Sequence, residues 1–369
     1  VRVVVQKYGG SSVADLQKLR RVAGRVAETR AGGAAVCVVV SAMGTTTNEL
    51  LALARAVSAR PDRRELDMLI SVGERITMAL LAMCLKDLGV PARSLTGSQS
   101  GIVTDEAHAD ARVVEVRPER LREVLAGGEV AIVAGFQGVS RTREVTTLGR
   151  GGSDTTAVVL AAALGADHAE ILSDVDGVWS ADPRVVPDAV KLDELGLDEA
   201  LALARGGAKV LFEDAVRYAR DRGVHIVAGS TFGPGAGTRL QPGGSAGRVV
   251  GVTGDRELAR LELDPADEDA AAALVASGAR VRWRIGRVVL VDVRNAHGGL
   301  PFPARPTAMV TAAGSAVGEQ PALSARGTRA LSAAGIAVEL HCGAQDQLVW
   351  EVPPERLDEA VRLLHAALR

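Results

Sequence analysis

The stretch Thr146-Thr147-Leu148-Gly149-Arg150-Gly151-Gly152-Ser153-Asp154-Thr155-Thr156 lies mid-chain and opens an apolar run from Ala157 to Leu164. Three glycines surround one arginine, and a serine and an aspartate lead into a helical pattern. Glycine lets backbone N–H groups approach a ligand closely. A helix start offers free donors and partial positive charge to an anion. The guanidinium of Arg150 fits a carboxylate or a phosphate. Taken alone, the stretch reads equally as a ligand loop or as a turn before a capped helix.

Upstream, the same layout recurs. Val1 to Gln6 reads as a buried strand and Asp15 to Glu28 has helical spacing, with Lys7-Tyr8-Gly9-Gly10-Ser11-Ser12 between them. Small residues, a helix start and one cation make an anion cradle. It is not a Walker A loop, because the lysine precedes the glycines. A second buried strand, Ala34 to Val40, runs into Ser41-Ala42-Met43-Gly44-Thr45-Thr46-Thr47-Asn48 and a helix from Glu49. Leu66 to Leu88 is helical but interrupted at Ser71 to Arg75, where Glu74 sits beside a glycine. A lone acid there ordinarily belongs to a solvated face. Thr96 to Asp105 reads as a flap or small hairpin.

Val130 to Ala134 and Ala169 to Leu172 are further buried strands. The second ends in Ser173-Asp174-Val175-Asp176-Gly177-Val178-Trp179-Ser180-Ala181-Asp182-Pro183-Arg184, an acid-rich loop without the EF-hand pattern. Trp179 can stack on a base or plug a core edge. Leu192 to Arg205 reads as helical, and after Gly206-Gly207 the next helix is expected to start at Ala208-Lys209-Val210-Leu211 and run to Arg222. A lysine at a helix start is unfavourable unless an anion binds there. Val224 to Ala228 is the last strand of this region. Strands followed by polar loops and helices predict an α/β fold with an open, mainly parallel sheet and helices on both faces.

Composition fits that reading. Hydrophobic residues are 47% of the 369, enough for a large core, and aromatics only 2%, so aliphatic residues fill it. The net charge of -2 argues against a nucleic-acid surface. Cys37, Cys84 and Cys342 are scattered, with no metal spacing. A strand from residue 1 leaves no room for a signal peptide, and no apolar run reads as spanning a membrane. The expectation is a cytoplasmic protein.

Together, Lys7 to Ser12, Ser41 to Leu50, Gly73-Glu74, Thr104-Asp105 with His108 and Arg112, Thr147 to Thr156, Ser173 to Arg184 and Gly207 to Leu211 resemble the aspartate kinases, in the right order over residues 1 to 240. The resemblance implies an amino-acid-kinase fold and transfer of the ATP γ-phosphate to the β-carboxylate of L-aspartate, with Mg²⁺ accompanying ATP. It implies that Lys7, Gly9, Gly10 and Ser11 form the phosphate loop and that Lys209 is the second phosphate lysine. Ser173, Asp174, Trp179, Asp182 and Arg184 would form the nucleotide pocket. Ser41, Thr47, Glu74 and Arg150 would bind aspartate, with Arg150 on its α-carboxylate and Glu74 near its amine. Asp154 would orient the catalytic lysine. No metal site built from protein ligands is expected.

Two departures stand out. Where the family continues His-Pro after Gly-Ala-Lys-Val-Leu, this chain has Phe212-Glu213-Asp214, which puts acidic charge near the phosphate lysine. Val72 replaces a usual threonine. The first departure leaves a related carboxylate as an alternative acceptor. Retention of both lysines and Asp154 opposes a non-catalytic regulatory subunit.

Gln241 to Gly247 reads as a linker between a catalytic region (residues 1–240) and an α+β region (250–369) made of two weakly similar halves. The latter resembles the paired ACT domains of aspartate kinases, in degenerate form. The Asp-x-Pro-Gly loop is not recognisable around Asp264-Pro265, a helix is missing near Asn295 to Pro306, and Pro321-Ala322 replaces Pro-Gly. The resemblance implies a homodimer through this region. Feedback by lysine or threonine is expected to be weak or absent.

Overall fold

The computed structural model describes residues 2–369 except 246, 265, 295, 297 and 298. It divides into two compact units, Val1–Val178 with Val210–Pro242 and Trp179–Lys209 with Gly243–Arg369.

The elements of the first unit begin with β1 (Val3–Tyr8), α1 (Leu16–Ala31), β2 (Ala35–Val40), α2 (Thr46–Val57), α3 (Arg63–Ile70) and α4 (Val72–Asp87). They continue with β3 (Ala92–Leu95), β4 (Ile102–Thr104), β5 (Val113–Val116), α5 (Glu119–Ala126) and β6 (Val130–Ala134). Then come β7 (Gln137–Ser140), β8 (Val145–Thr147), α6 (Gly152–Leu164) and β9 (Ala169–Ser173). The chain next enters the second unit with β10 (Glu194–Gly196) and α7 (Leu197–Arg205), and returns with α8 (Glu213–Arg222), β11 (Ile226–Ser230) and β12 (Thr238–Gln241).

The first unit's main sheet runs in the order β3-β6-β2-β1-β9-β11-β12. All its neighbours are parallel except β12, which pairs antiparallel with β11. The strands read as apolar runs because helices cover both faces. Lys7 is a buried cation in the central strand, opposite Val39 on one side and Ile171 on the other. The strand order reverses at β1, with β2 on one side and β9 on the other. In open α/β sheets ligands bind at such a switch point, outside the carboxyl ends of the strands. Helix α6 is apolar nearly all round, with Ala157 to Ala161 buried, and packs on β1, β2 and β9.

A second, four-stranded sheet runs in the order β5-β4-β7-β8. The Thr96 to Asp105 stretch is part of this sheet through β4.

Several local expectations are corrected. Helix α2 starts at Thr46, not Glu49. Leu192 to Arg205 is not one helix. Glu194–Gly196 is extended, and Gly196, with ψ of 144°, caps α7, its N–H donating to the Glu199 carboxylate at 3.0 Å. Nor does a helix start at Ala208. Gly207 takes a φ of +103°, Lys209 lies in a bend, and α8 begins only at Glu213. Glu213 and Asp214 in its first turn suit the helix dipole as a lysine would not. Against the expectation of no membrane-length apolar run, Arg63–Asp87 contains a window apolar enough to span a bilayer. It is split at Ser71 into α3 and α4, and half of it is buried inside the protein.

The second unit continues with β13 (Gly251–Glu262), α9 (Glu268–Ser277), β14 (Arg280–Ile285), β15 (Val288–Asp292), β16 (Arg305–Ala313), α10 (Pro321–Ala333), β17 (Leu340–Ala344), β18 (Gln347–Val352) and α11 (Leu357–Leu368). Its antiparallel sheet runs β14-β15-β13-β16-β18-β17, with the first strands of the two halves side by side at the centre. The short strand expected at Ala308 to Thr311 extends over nine residues. Pro265, in the sought ACT loop, and Asn295, in the Gly/Pro connection, lie outside the described residues; among the described residues of that connection no helix forms.

Trp350 is the largest side chain of this core. It is fully buried, stacks on His341 with ring centroids 4.8 Å apart, and donates its indole N–H to Thr328 at 3.0 Å. Gly327 leaves it room, since a Cβ there would lie 2.6 Å from the indole. Replacing Trp350 with alanine is expected to cost about 3–5 kcal/mol by cavity formation, read as an earlier denaturant midpoint.

Candidate active site

At the carboxyl ends of β1, β2, β6 and β9 the loops are locked to one another. The Gly9 N–H donates to Leu172 O at 3.0 Å, Ser41 N–H to Tyr8 O at 3.1 Å, and Gly44 N–H to Gly10 O at 3.1 Å. A Cβ on Gly10 would lie 2.9 Å from Ala42 O, so only glycine fits there without a shift. A Cβ on Gly135 would lie 2.7 Å from the Ser153 hydroxyl.

Into this frame point Lys7 and Asp154. The Lys7 ammonium lies 2.6 Å from Asp154 Oδ1, and their side chains are only 10% and 2% exposed. Asp154 occupies the first turn of α6, where the helix dipole favours a carboxylate. The turn before it is left-handed, with φ of +70° at Gly149 and +72° at Gly151. This geometry exposes Arg150, which has no ion-pair partner among the described residues. Phe212 lies directly over Gly151, whose Cβ would come 2.0 Å from the Phe212 ring. Glu213 and Asp214 both pair with Arg217, at 3.9 Å and 2.5 Å, so the acidic charge that replaces His-Pro has a local cation.

Glu74 is no solvated acid. It is 3% exposed, its Oε1 accepts the Ala42 N–H at 3.1 Å, and its Oε2 is buried without a hydrogen-bond partner among the described residues. Burial pushes its carboxyl up from 4.5 to about 7, against the pull of the backbone N–H donors. Gly73, against Ala42, lets the helix come close enough for this contact. Ser41 and Thr47 are half-buried, Thr47 in the first turn of α2. Ser11 and Asp174 are exposed, whereas Ser173 is half-buried and its carbonyl accepts the Thr231 N–H at 2.8 Å.

The remaining candidates belong to the second unit. Asp182 and Arg184 form a two-point ion pair, at 3.0 and 2.7 Å. The Arg184 hydrogen bonds, helped by Lys209, hold the Asp182 carboxyl below its usual range. Trp179 packs against that unit's main apolar cluster. Lys209 is exposed. Thus Lys7, Gly9, Gly10, Ser41, Glu74, Arg150, Asp154 and Ser173 come from one unit, and Trp179, Asp182, Arg184 and Lys209 from the other.

A polar cradle at the switch point of a parallel sheet, with a buried lysine held by a helix-start aspartate, defines an α/β protein of the open-sheet class. The chain belongs to the amino acid kinase family, whose sequence pattern matches residues 2–228. It is 51% identical over 269 residues to an aspartokinase of Mycolicibacterium smegmatis, an alignment covering 71% of this chain and 63% of that protein. The chain therefore spans less than two thirds of that curated relative. Among solved structures, the aspartate kinase from Synechocystis is 32% identical with a TM-score of 0.60, over 99% of this chain and 69% of that one. E. coli aspartokinase III, in complex with aspartate and ADP, shares the fold over 100% of both chains with a TM-score of 0.87 at 24% identity.

The raised carboxyl of Glu74 has a stability consequence. The unfolded chain ionises near 4.5 and the folded one near 7, so the folded state binds the proton more tightly. This stabilisation is full below 4.5 and is lost as pH rises through about 7. Wild type minus Glu74→Gln unfolding free energy is therefore expected to fall by roughly 3 kcal/mol between about pH 4 and pH 8.5, measured by urea titration at each pH.

Proposed function

We propose that this chain is an ATP-dependent aspartate kinase that converts L-aspartate to 4-phospho-L-aspartate. The observation that carries this reading is the buried Lys7–Asp154 pair at 2.6 Å beside the Gly9-Gly10 turn, in a chain half identical to an aspartokinase over most of its length. A structural relative binding aspartate and ADP supports it.

The acceptor carboxylate is ionised at neutral pH, since an aspartate side chain in water titrates at about 3.9, so no general base is required. The difficulty is repulsion between an anionic nucleophile and an anionic phosphate. Catalysis is therefore positioning and charge neutralisation. A β-carboxylate oxygen attacks the γ-phosphorus, the bond to the β–γ bridging oxygen breaks, and ADP leaves. Lys7, oriented by Asp154, and Lys209 offset the phosphate charge, with the N–H groups of Gly10 and Ser11 around it and Gly9 leaving room for the close approach. Ser173, Asp174, Trp179, Asp182 and Arg184 hold the nucleotide. Arg150, without an ion-pair partner among the described residues, takes the α-carboxylate. The unpartnered Oε2 of Glu74 takes the α-ammonium. Ser41 and Thr47 complete the acceptor site. Mg²⁺ accompanying ATP would supply further neutralisation of phosphate charge beside Lys7 and Lys209.

A second reading, a paralogous kinase acting on a related carboxylate, is favoured by Phe212, which covers Gly151 next to Arg150. The proposal extends to residues 1–240 as catalytic region and 250–369 as an ACT-like region, homodimerisation through the latter, a cytoplasmic location and service to lysine and threonine biosynthesis. Feedback is weak in this proposal, because Pro321 and Ala322 open α10 where the ACT pattern has Pro-Gly.

An ADP-release assay with aspartate, glutamate and N-acetylglutamate tests the reading. Aspartate should be turned over best, Arg150→Ala and Lys209→Ala should each lose at least about 100-fold in kcat/KM, and millimolar lysine plus threonine should inhibit little. Turnover of glutamate in preference to aspartate would select the second reading, and full activity in either variant would remove that residue's role.

A further inference from the structure

A carboxylate outside this set joins the two elements assigned to opposite ends of the acceptor. Asp67, on α3, is fully buried. Its Oδ1 accepts the Thr147 hydroxyl at 2.5 Å and the Ala109 N–H at 3.1 Å, and its Oδ2 faces His108 Nδ1 at 2.7 Å. Ala109 adopts a φ of +67°, a left-handed backbone that an L-residue takes at a cost. That turn aims both Ala109 N–H and His108 at the same carboxylate. The Ala111 N–H, two residues on, donates to Thr147 O at 2.9 Å, so the loop grips Thr147 from a second side.

The two ends of this clamp lead to the acceptor residues. Thr147 closes β8, and Arg150 follows three residues later on the exposed turn. Helix α3 passes through Ser71 into α4, whose first turn carries Glu74. The junction is held by Gln137, whose amide donates to Ser71 O at 2.8 Å and accepts Arg75 Nε–H at 3.1 Å. Asp67 therefore fixes where the Glu74 helix stands relative to the Arg150 turn. If Glu74 and Arg150 hold the ammonium and α-carboxylate, their separation sets which acceptor places its distal carboxylate at the phosphate.

We propose that Asp67, through Thr147 and the His108–Ala109 turn, is a positioning residue that sets acceptor affinity and the preference for aspartate over its one-methylene-longer homologue. This rests on the aspartate kinase reading. Asp67 touches neither substrate in that reading, so its effect is separable from nucleotide binding.

The test compares Asp67→Ala, Asp67→Asn and the nearly isosteric Thr147→Val with wild type in the full chain, measuring KM for aspartate, KM for ATP, and kcat/KM for aspartate and glutamate. Asp67→Ala and Thr147→Val should raise the aspartate KM by about tenfold and lower the aspartate-to-glutamate ratio, with the ATP KM within about twofold. Asp67→Asn, which keeps one acceptor oxygen, should fall between. Should Asp67→Ala not fold, Thr147→Val carries the same comparison. Aspartate KM and acceptor ratio unchanged in Thr147→Val, or both KM values rising together, would overturn the inference while leaving the kinase reading intact. A wild-type protein inactive on aspartate would overturn both.

Discussion

The ion pair between Lys7 and Asp154 is the constraint on which the first unit turns. A lysine in the central strand of a parallel sheet is surrounded by apolar neighbours and loses most of its hydration. Such a charge is tolerable only when paired and hydrogen-bonded. The partner must come from the covering layer, and it comes from the first turn of α6, where the helix dipole favours negative charge. Removing either member would strand the other, at a cost on the order of 3–5 kcal/mol. The pair thereby fixes the register of α6 on β1. Fixing α6 in turn requires the left-handed turn at Gly149 and Gly151 that carries Arg150 outward. A single buried contact thus places a strand, a helix and an exposed cation.

Much of this is legible in the sequence, and the reasons are local. Val1 to Gln6, Ala34 to Val40 and Val130 to Ala134 read as strands because both faces are covered and the runs are apolar but for Arg2 and Gln6. Lys7 stands out because glycines follow it. Asp67 does not, because an acid on a helix with an amphipathic pattern looks solvated until the Thr147 hydroxyl and the Ala109 N–H are seen to converge on it. Glu74 carries the same ambiguity. Its burial depends on Gly73 lying against Ala42, a contact between segments far apart in the chain. The strand β7 is hidden in the sequence, since Gln137-Gly138-Val139-Ser140 has turn-like composition; pairing with β4 makes it a strand. The start of α8 is displaced from its expected place because Ala-Lys-Val-Leu has good helix propensity, which the left-handed Gly207 overrides.

The second unit raises a different question, namely what its C-terminal sheet contributes to the segment from Trp179 to Lys209. The second unit offers a physical answer. Its central strands β13 and β16 pair Thr253 with Thr311, and Gly206 sits on that pair so closely that a Cβ would lie 2.6 Å from Thr311 Cβ. Gly207 lies against Asp255, which is itself held by Arg294. The two glycines that precede Lys209 are therefore shaped by the C-terminal sheet. The Ser180 hydroxyl, two residues before Asp182, lies 3.0 Å from His365 Nε2 on α11. Under the proposed function, these segments carry the second phosphate lysine and part of the nucleotide pocket. In that reading, the C-terminal sheet supports the segment that carries Lys209 and Asp182, whether or not it binds an effector.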